Sequence, residues 1–239
     1  MICHEKELIF IHGIKTGGYT IKSILSHYSD DLLLEKPNKF GKDGLIMVDA
    51  SELRKKEEGS GKPLSHKDLL SLGKMHFDVK HYQNSYPDVF DHFHKFTIIR
   101  NPWDRIMSYL LWLNKGVYNA KAFKQWLKYK GIGIFSDKKE LNQLSLLIDN
   151  SHGNVTDENL MNINLNLNQI INYENFKTEL KLLFHDRKIN YGNNLDTKLN
   201  SVNKEKHYSL YYDDELKELV DQECSWDINY FNFKFEDKR

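Results

Sequence analysis

Little in this chain invites a disulfide, a membrane or a polyanion. Only two cysteines occur, Cys3 and Cys224, near opposite ends of 239 residues. Thiols so placed make no disulfide framework and fit a reducing compartment. No apolar stretch approaches the roughly 20 residues needed to span a bilayer. Near the N-terminus only Leu8 to Ile11 is continuously apolar, too short for a signal-peptide core, and it reads as a first strand. Lys and Arg total 34 and Asp and Glu total 34, so no global field draws nucleic acid or an anionic membrane surface. Any anion site must be local. No His/Cys/Asp cluster has metal-ligand spacing, and Asn154-Val155-Thr156 is an incidental sequon. The chain is expected to be soluble and cytoplasmic, with neither nucleic acid nor membrane as partner and an oligomeric state on which the sequence is silent.

What is present is a folded, enzyme-like composition, with 40% hydrophobic and 13% aromatic residues, enough for one large domain with a real core. Strands are expected at Leu8–His12, 44–48, Lys95–Arg100 and Asn168–Tyr173. Helices are expected at Ile21–His27, after Asn101, and at Ala120–Tyr129, Asp137–Ile148, Phe176–His185 and Asp214–Cys224. Arg54 to Lys67 has the composition of an exposed loop or a flap, and 150–168 is the least structured stretch. Strands alternating with helices imply an α/β fold with a mostly parallel central sheet flanked by helices.

The sharpest local signal is Gly13-Ile14-Lys15-Thr16-Gly17-Gly18-Tyr19-Thr20. A strand that breaks into a Gly-rich turn and then a helix aims several backbone N–H groups and a positive dipole end at one point, which suits phosphate-like anions. Lys15 precedes the Gly17-Gly18 pair, unlike the nucleoside-triphosphatase loop, so a different nucleotide is expected.

A second signal follows the second strong strand. Arg100 stands at its carboxyl end, where open α/β sheets place ligands. Asn101 is a good N-cap and Pro102 suits the first helical position; Trp103, Ile106, Leu110 and Leu113 then recur at helical spacing. Ser108 lies about 200° from Leu110, away from that stripe, with Arg105 about 60° from it on the same side. Arg100, a helix N-terminus and an exposed hydroxyl make a second phosphate cradle. Both motifs follow strong strands and belong on one sheet edge. A ligand bridging them needs two separated anionic groups, as in an adenosine with a 3′-phosphate and a 5′-phosphosulfate.

Phe10 to Gly18 resembles the 5′-phosphosulfate loop of sulfotransferases, and Arg100 to Ser108 resembles their 3′-phosphate motif, Arg-to-Ser spacing included. The carbohydrate branch related to heparan sulfate 2-O- and chondroitin sulfotransferases is the most similar, and Ile171 to Phe176, Tyr208 to Glu215 and Tyr230 to Phe235 also resemble it. The family's loop usually has Pro where Ile14 stands and a small hydroxyl residue where Tyr19 stands. Relatives in the secretory pathway carry a membrane anchor that this chain is not expected to have. The resemblance implies a single P-loop-like sulfotransferase domain over residues 1–239. It implies 3′-phosphoadenosine 5′-phosphosulfate as donor, adenosine 3′,5′-bisphosphate as product and no metal. The acceptor is then a carbohydrate or small-metabolite hydroxyl.

By analogy with phosphoryl transfer, catalysis is positioning plus electrostatics. Lys15 neutralises charge on the bridging oxygen. Lys15, Thr16, Gly17, Gly18, Tyr19 and Thr20 hold the 5′ end, and Arg100 and Ser108 the 3′-phosphate. Lys204 and Lys206 are candidates to close over the phosphates, or are ordinary surface lysines. Trp103, Trp112, Trp126 and Tyr82 are candidates to stack on adenine or sugar, or are core. A general base must take the acceptor's proton. The resemblance points to His76, with His81 second, His66, His92 and His94 behind, and Glu174 as a carboxylate alternative. Two other readings stay open: a P-loop-like small-molecule kinase, and an adenosine-bisphosphate-binding module without turnover.

Overall fold

The computed structural model describes residues 1–25, 28, 31–33, 47–49, 78–128, 141–152, 155–192, 195 and 206–239. Its centre is a four-stranded sheet in the order β1-β2-β5-β6. Strands β2 (Leu8–Ile11), β5 (His94–Ile99) and β6 (Gln169–Asn172) run parallel, with Ile11 opposite Thr97 and Ile99 opposite Asn172. The short β1 (Ile2–Cys3) adds an antiparallel edge. Two further strands, β3 (Asp31–Leu33) and β4 (Met47–Asp49), pair antiparallel in a separate two-stranded sheet. The expected strand over 44–48 is therefore seen only from Met47, and outside the main sheet.

The alternation of β2 explains the layering. Leu8 and Phe10 join one buried cluster with Phe96, Ile98 and Ile171, and Ile9 and Ile11 join another with Ile99. Two apolar faces on one strand require cover on both sides. Helices α1 (Gly18–Leu25) and α6 (Phe176–Asp186) cover the first face through Ile21, Ile24, Leu25, Leu180 and Phe184. The other face is covered by α4 (Pro102–Leu113), α5 (Ala120–Lys128) and α7 (Asp214–Glu223). Before β5 run two short helices, α2 (Val79–Ser85) and α3 (Pro87–His92), and α8 (Ser225–Tyr230) ends the series. Among the described residues no helix is long and apolar enough to cross a membrane.

One expected helix is corrected. Of Asp137–Ile148, residues 137–140 lie outside the described residues, Leu141 is helical, and Leu144–Leu146 is a single 3-10 turn. The cause is local competition for donors: the amides of Gln143 and Leu144 both donate to Asp227 at 2.8 Å instead of to carbonyls one turn back. The loop-or-flap segment Arg54 to Lys67 lies outside the described residues.

Candidate functional site

The four buried residues of β2 deliver the chain to a turn that its own side chains tie down. Thr16 Oγ1 donates to the Gly13 carbonyl at 2.8 Å, and the Thr20 amide donates to the Gly17 carbonyl at 3.1 Å. Lys15 has φ 62° and Gly17 has φ 85°. Gly17 adopts that conformation freely, whereas Lys15 is held in it at a cost of about 1–3 kcal/mol. Gly18 opens α1 with no room for a side chain, since a Cβ there would lie 1.8 Å from Nε2 of His12. The positive end of α1 thus faces the turn.

The restraint on Lys15 comes from the second motif. Arg100 Nη1 donates to the Lys15 carbonyl at 2.7 Å. This contact links the loop after β2 to the end of β5, which the parallel pairing of the strands sets side by side. Nε of Arg100 donates to Asp104 Oδ2 at 2.6 Å, and its guanidinium lies 4.2 Å over the Tyr173 ring. Among the described residues Nη2 makes no hydrogen bond. Tyr173 also approaches Gly17, its Cε2 lying 3.5 Å from where a Cβ would stand. The Lys15 ammonium sits 5.5 Å from the centroid of Trp112 on α4.

Beneath Arg100 lies a polar network that the sequence does not announce. Gln143 accepts from the Arg100 amide at 2.9 Å and donates back to the Arg100 carbonyl at 2.8 Å. Gln143 is itself fixed by Asp227, its side-chain amide donating to Oδ2 at 3.1 Å. Asp227 is 0% exposed and pairs with Arg105 at 3.5 Å. Burial pushes the Asp227 carboxyl up, with Arg105 and the amides of Gln143 and Leu144 opposing.

Two side chains of the expected second cradle differ from their expected exposure. Arg105 is turned inward to Asp227 and to the Leu141 carbonyl. Ser108, expected to be exposed, is buried. A helical wheel sees one apolar stripe, but α4 is covered on several sides. Leu113, assigned to that stripe, is 39% exposed at the helix end. Trp103 and Tyr82 are buried, and Trp103 Nε1 donates to Asp221 at 2.7 Å, so both act as core.

The described candidates for the base separate by position. His94 is the first residue of β5, at the opposite end of the strand from Arg100; a strand of that length spans roughly 17 Å. Burial, with Arg187 nearby, lowers its pKa. His92 lies at the end of α3, its Nδ1 2.6 Å from the Asp88 carbonyl. His81 sits half-buried in the first turn of α2, its ring 5.7 Å from Tyr82 and 6.3 Å from Tyr86. Glu174 is exposed just beyond β6. His76, His66 and Lys204 lie outside the described residues, as does the side chain of Tyr19. Lys206 is exposed, its ammonium 4.6 Å over Tyr211.

One side chain that the sequence reading passed over is Lys22. It sits on α1, one turn below Gly18, and is only 5% exposed.

Two strands therefore end side by side, each followed by a turn that opens a helix, and one guanidinium ties them together. In comparison with known proteins, the family model described as "Sulfotransferase family" matches residues 1–234. No curated protein and no solved structure matches the chain.

Proposed function

The chain belongs to the sulfotransferase family, and on that footing we propose that it moves a sulfuryl group from 3′-phosphoadenosine 5′-phosphosulfate to a hydroxyl of a carbohydrate or small metabolite. The observation that carries this reading is the 2.7 Å bond from Arg100 to the Lys15 carbonyl. It joins the two candidate anion-binding motifs, as a single doubly anionic nucleotide gripping both would require.

The residues present fit that donor. The positive φ of Lys15 and Gly17 bends the backbone between β2 and α1, a conformation of the kind that builds anion-binding nests, and the N-terminus of α1 adds its dipole. Thr16, Gly17, Gly18, Tyr19 and Thr20 hold the 5′ end through that backbone, with Thr20 also offering a hydroxyl. Arg100 offers Nη2 to the 3′-phosphate, with Ser108 as a second donor; Asp104 and the Lys15 carbonyl keep the guanidinium in place, and Gln143 fixes the Arg100 backbone. When bound, the donor supplies an activated sulfuryl group whose leaving oxygen belongs to a phosphate. Lys15 provides the positive charge for that oxygen, a contribution of several kcal/mol in comparable sites. A general base takes the proton of the acceptor hydroxyl; His76 is assigned that role, with His81 second. His94 is set aside because it stands at the far end of its strand. Lys204 is proposed to close over the phosphates.

The test has two stages. Adenosine 3′,5′-bisphosphate at about 100 times its dissociation constant should stabilise the fold by roughly 2.7 kcal/mol in a thermal-shift experiment, with ATP–Mg²⁺ giving little. The reverse pattern would favour a kinase and sink the reading. A radiolabelled sulfate donor, offered with hydroxylated glycans and metabolites, should then yield product with the wild type and far less with Lys15→Ala or His76→Ala. Binding without turnover on any acceptor would leave a nucleotide-binding module instead.

A further inference from the structure

The other buried cations of the described residues have protein partners. Lys95 donates to the carbonyls of Phe90 and Phe93 at 2.8 and 3.3 Å. Arg100 pairs with Asp104 at 2.6 Å, and Arg105 with Asp227 at 3.5 Å. Lys22 is as buried as these, at 5% exposed, yet among the described residues it has no hydrogen bond and no ion pair. Burial alone pushes its ammonium down to about 7, with no neighbouring charge acting on it. A buried, unpaired charge is costly, and such a side chain is best accounted for by an anion that arrives from outside.

The geometry says where that anion sits. Lys22 follows Gly18 by four residues, so the two share one face of α1. Every helical Cα–Cβ bond tilts toward the helix N-terminus, and long side chains lie over the preceding turn. Four residues rise about 6 Å, close to the length of an extended lysine side chain. The stem therefore runs toward the level of the first turn, where the positive dipole end faces the Gly-rich loop. Gly18 contributes no side chain of its own there, and the imidazole of His12 packs against it. No carboxylate acts on Lys22 there.

We propose that Lys22 is a second cation of the 5′ anion site, binding the phosphosulfate group of the donor together with Lys15 and the loop amides. The proposal rests on the donor-binding reading of the loop given above and adds to it a residue that sets affinity for the 5′ end. Lys15 serves the leaving oxygen, and Lys22 serves the ground-state charge of the same group. Its solitude in the ligand-free protein is the cost of a site that is complete only when loaded.

Isothermal titration with adenosine 3′,5′-bisphosphate and with adenosine 3′-monophosphate, on wild type and on Lys22→Met, tests this. The variant should lose roughly 10- to 100-fold in affinity for the bisphosphate, the loss expected for one charged hydrogen bond. Its affinity for the 3′-monophosphate, which has no 5′ anion, should be unchanged. The ligand-free melting temperature of the variant should equal or exceed that of the wild type, because methionine fills similar space without a charge. A wild type that ignores the bisphosphate would bring down the donor reading and this inference with it. A wild type that binds the bisphosphate no better than Lys22→Met would overturn the inference alone. Equal losses for both nucleotides with a lowered melting temperature would mark a structural lysine and also overturn it.

Discussion

Lys15 holds its position in the loop against its own backbone preference. A left-handed conformation costs a side-chain-bearing residue about 1–2 kcal/mol, and the Lys15 φ of 62° is kept by the guanidinium of Arg100 on its carbonyl. Replacing it by glycine relieves that strain but adds about 0.5–1 kcal/mol of unfolded-state entropy. Lys15→Gly is therefore expected to unfold in urea within about 1 kcal/mol of the wild type while sulfuryl transfer falls 10²- to 10³-fold; a large loss of stability would mean that the side chain serves the fold. Lys15 and Arg100 were legible because each sits inside a strand–turn–helix pattern written in consecutive residues. Gln143 and Asp227 were not, since Gln143 reaches Arg100 from 43 positions away and Asp227 reaches Gln143 from 84 positions away, and nothing local marks either. Lys22 was missed because a charged residue in a short helix reads as solvated until the covering layer is known. Its lowered pKa gives a signed expectation. Between about pH 7 and the ordinary value of 10.5 the unfolded chain binds the proton that the folded chain has lost. Stability contributed by this group must then rise with pH across that window. The stability gap between Lys22→Met and wild type, read by urea unfolding, should be widest at pH 7 and close toward pH 10.5; a gap that does not vary with pH would show that Lys22 titrates normally.

At the scale of elements, the join between β5 and α4 decides where Arg100 stands beside the Gly-rich loop. Asn101 caps α4 by accepting from the Trp103 and Asp104 amides at 3.1 and 3.4 Å, and its own amide donates to the Lys234 carbonyl at 2.9 Å. Asn101→Ala removes the cap and the tether to the C-terminal segment together. It should cost about 1–2 kcal/mol in urea unfolding and raise the donor KM, because the residue that loses its anchor adjoins Arg100. An unchanged KM would separate cap from site. This join was readable from Asn-Pro followed by helical spacing, as were α5, α6 and α7, because capping and periodicity are local. The stretch before β5 was not readable in the same way. Asp78 accepts from the His81 amide at 2.8 Å and starts α2, although Val79 and its neighbours look strand-like by composition. The Asp137–Ile148 reading fails over Leu144–Leu146 for the converse reason: its apolar spacing is helical, but a carboxylate from α8 takes the amides of Gln143 and Leu144.

For the molecule as a whole, α8 reaches Arg100, at the carboxyl end of β5, through one buried polar network. Asp227 accepts from the Gln143 amide, the Gln143 side chain and the Leu144 amide, and pairs with Arg105, so one carboxylate joins α4, the 3-10 turn and α8. The zero net charge of the chain offers this site no long-range help, and its anion affinity is built from local groups held by such contacts. Removing one partner of a buried pair typically costs about 3–5 kcal/mol because the other charge is stranded. Asp227→Ala should therefore fall in that range and weaken adenosine 3′,5′-bisphosphate binding through the loosened Arg100. Apolar replacement of both ions, Arg105→Met with Asp227→Leu, removes the stranded charge. It still leaves the Gln143 and Leu144 amides without their acceptor, a deficit of about 1–3 kcal/mol for each buried group. The double variant should accordingly recover part of the stability lost in Asp227→Ala, but not all of it, and donor affinity should stay low because Gln143 no longer fixes the Arg100 backbone. Full recovery of both in urea unfolding and nucleotide titration would show that the ion pair alone matters. Recovery of stability without affinity would show that the carboxylate's hydrogen bonds to the turn are what couple the C-terminal helix to the anion site.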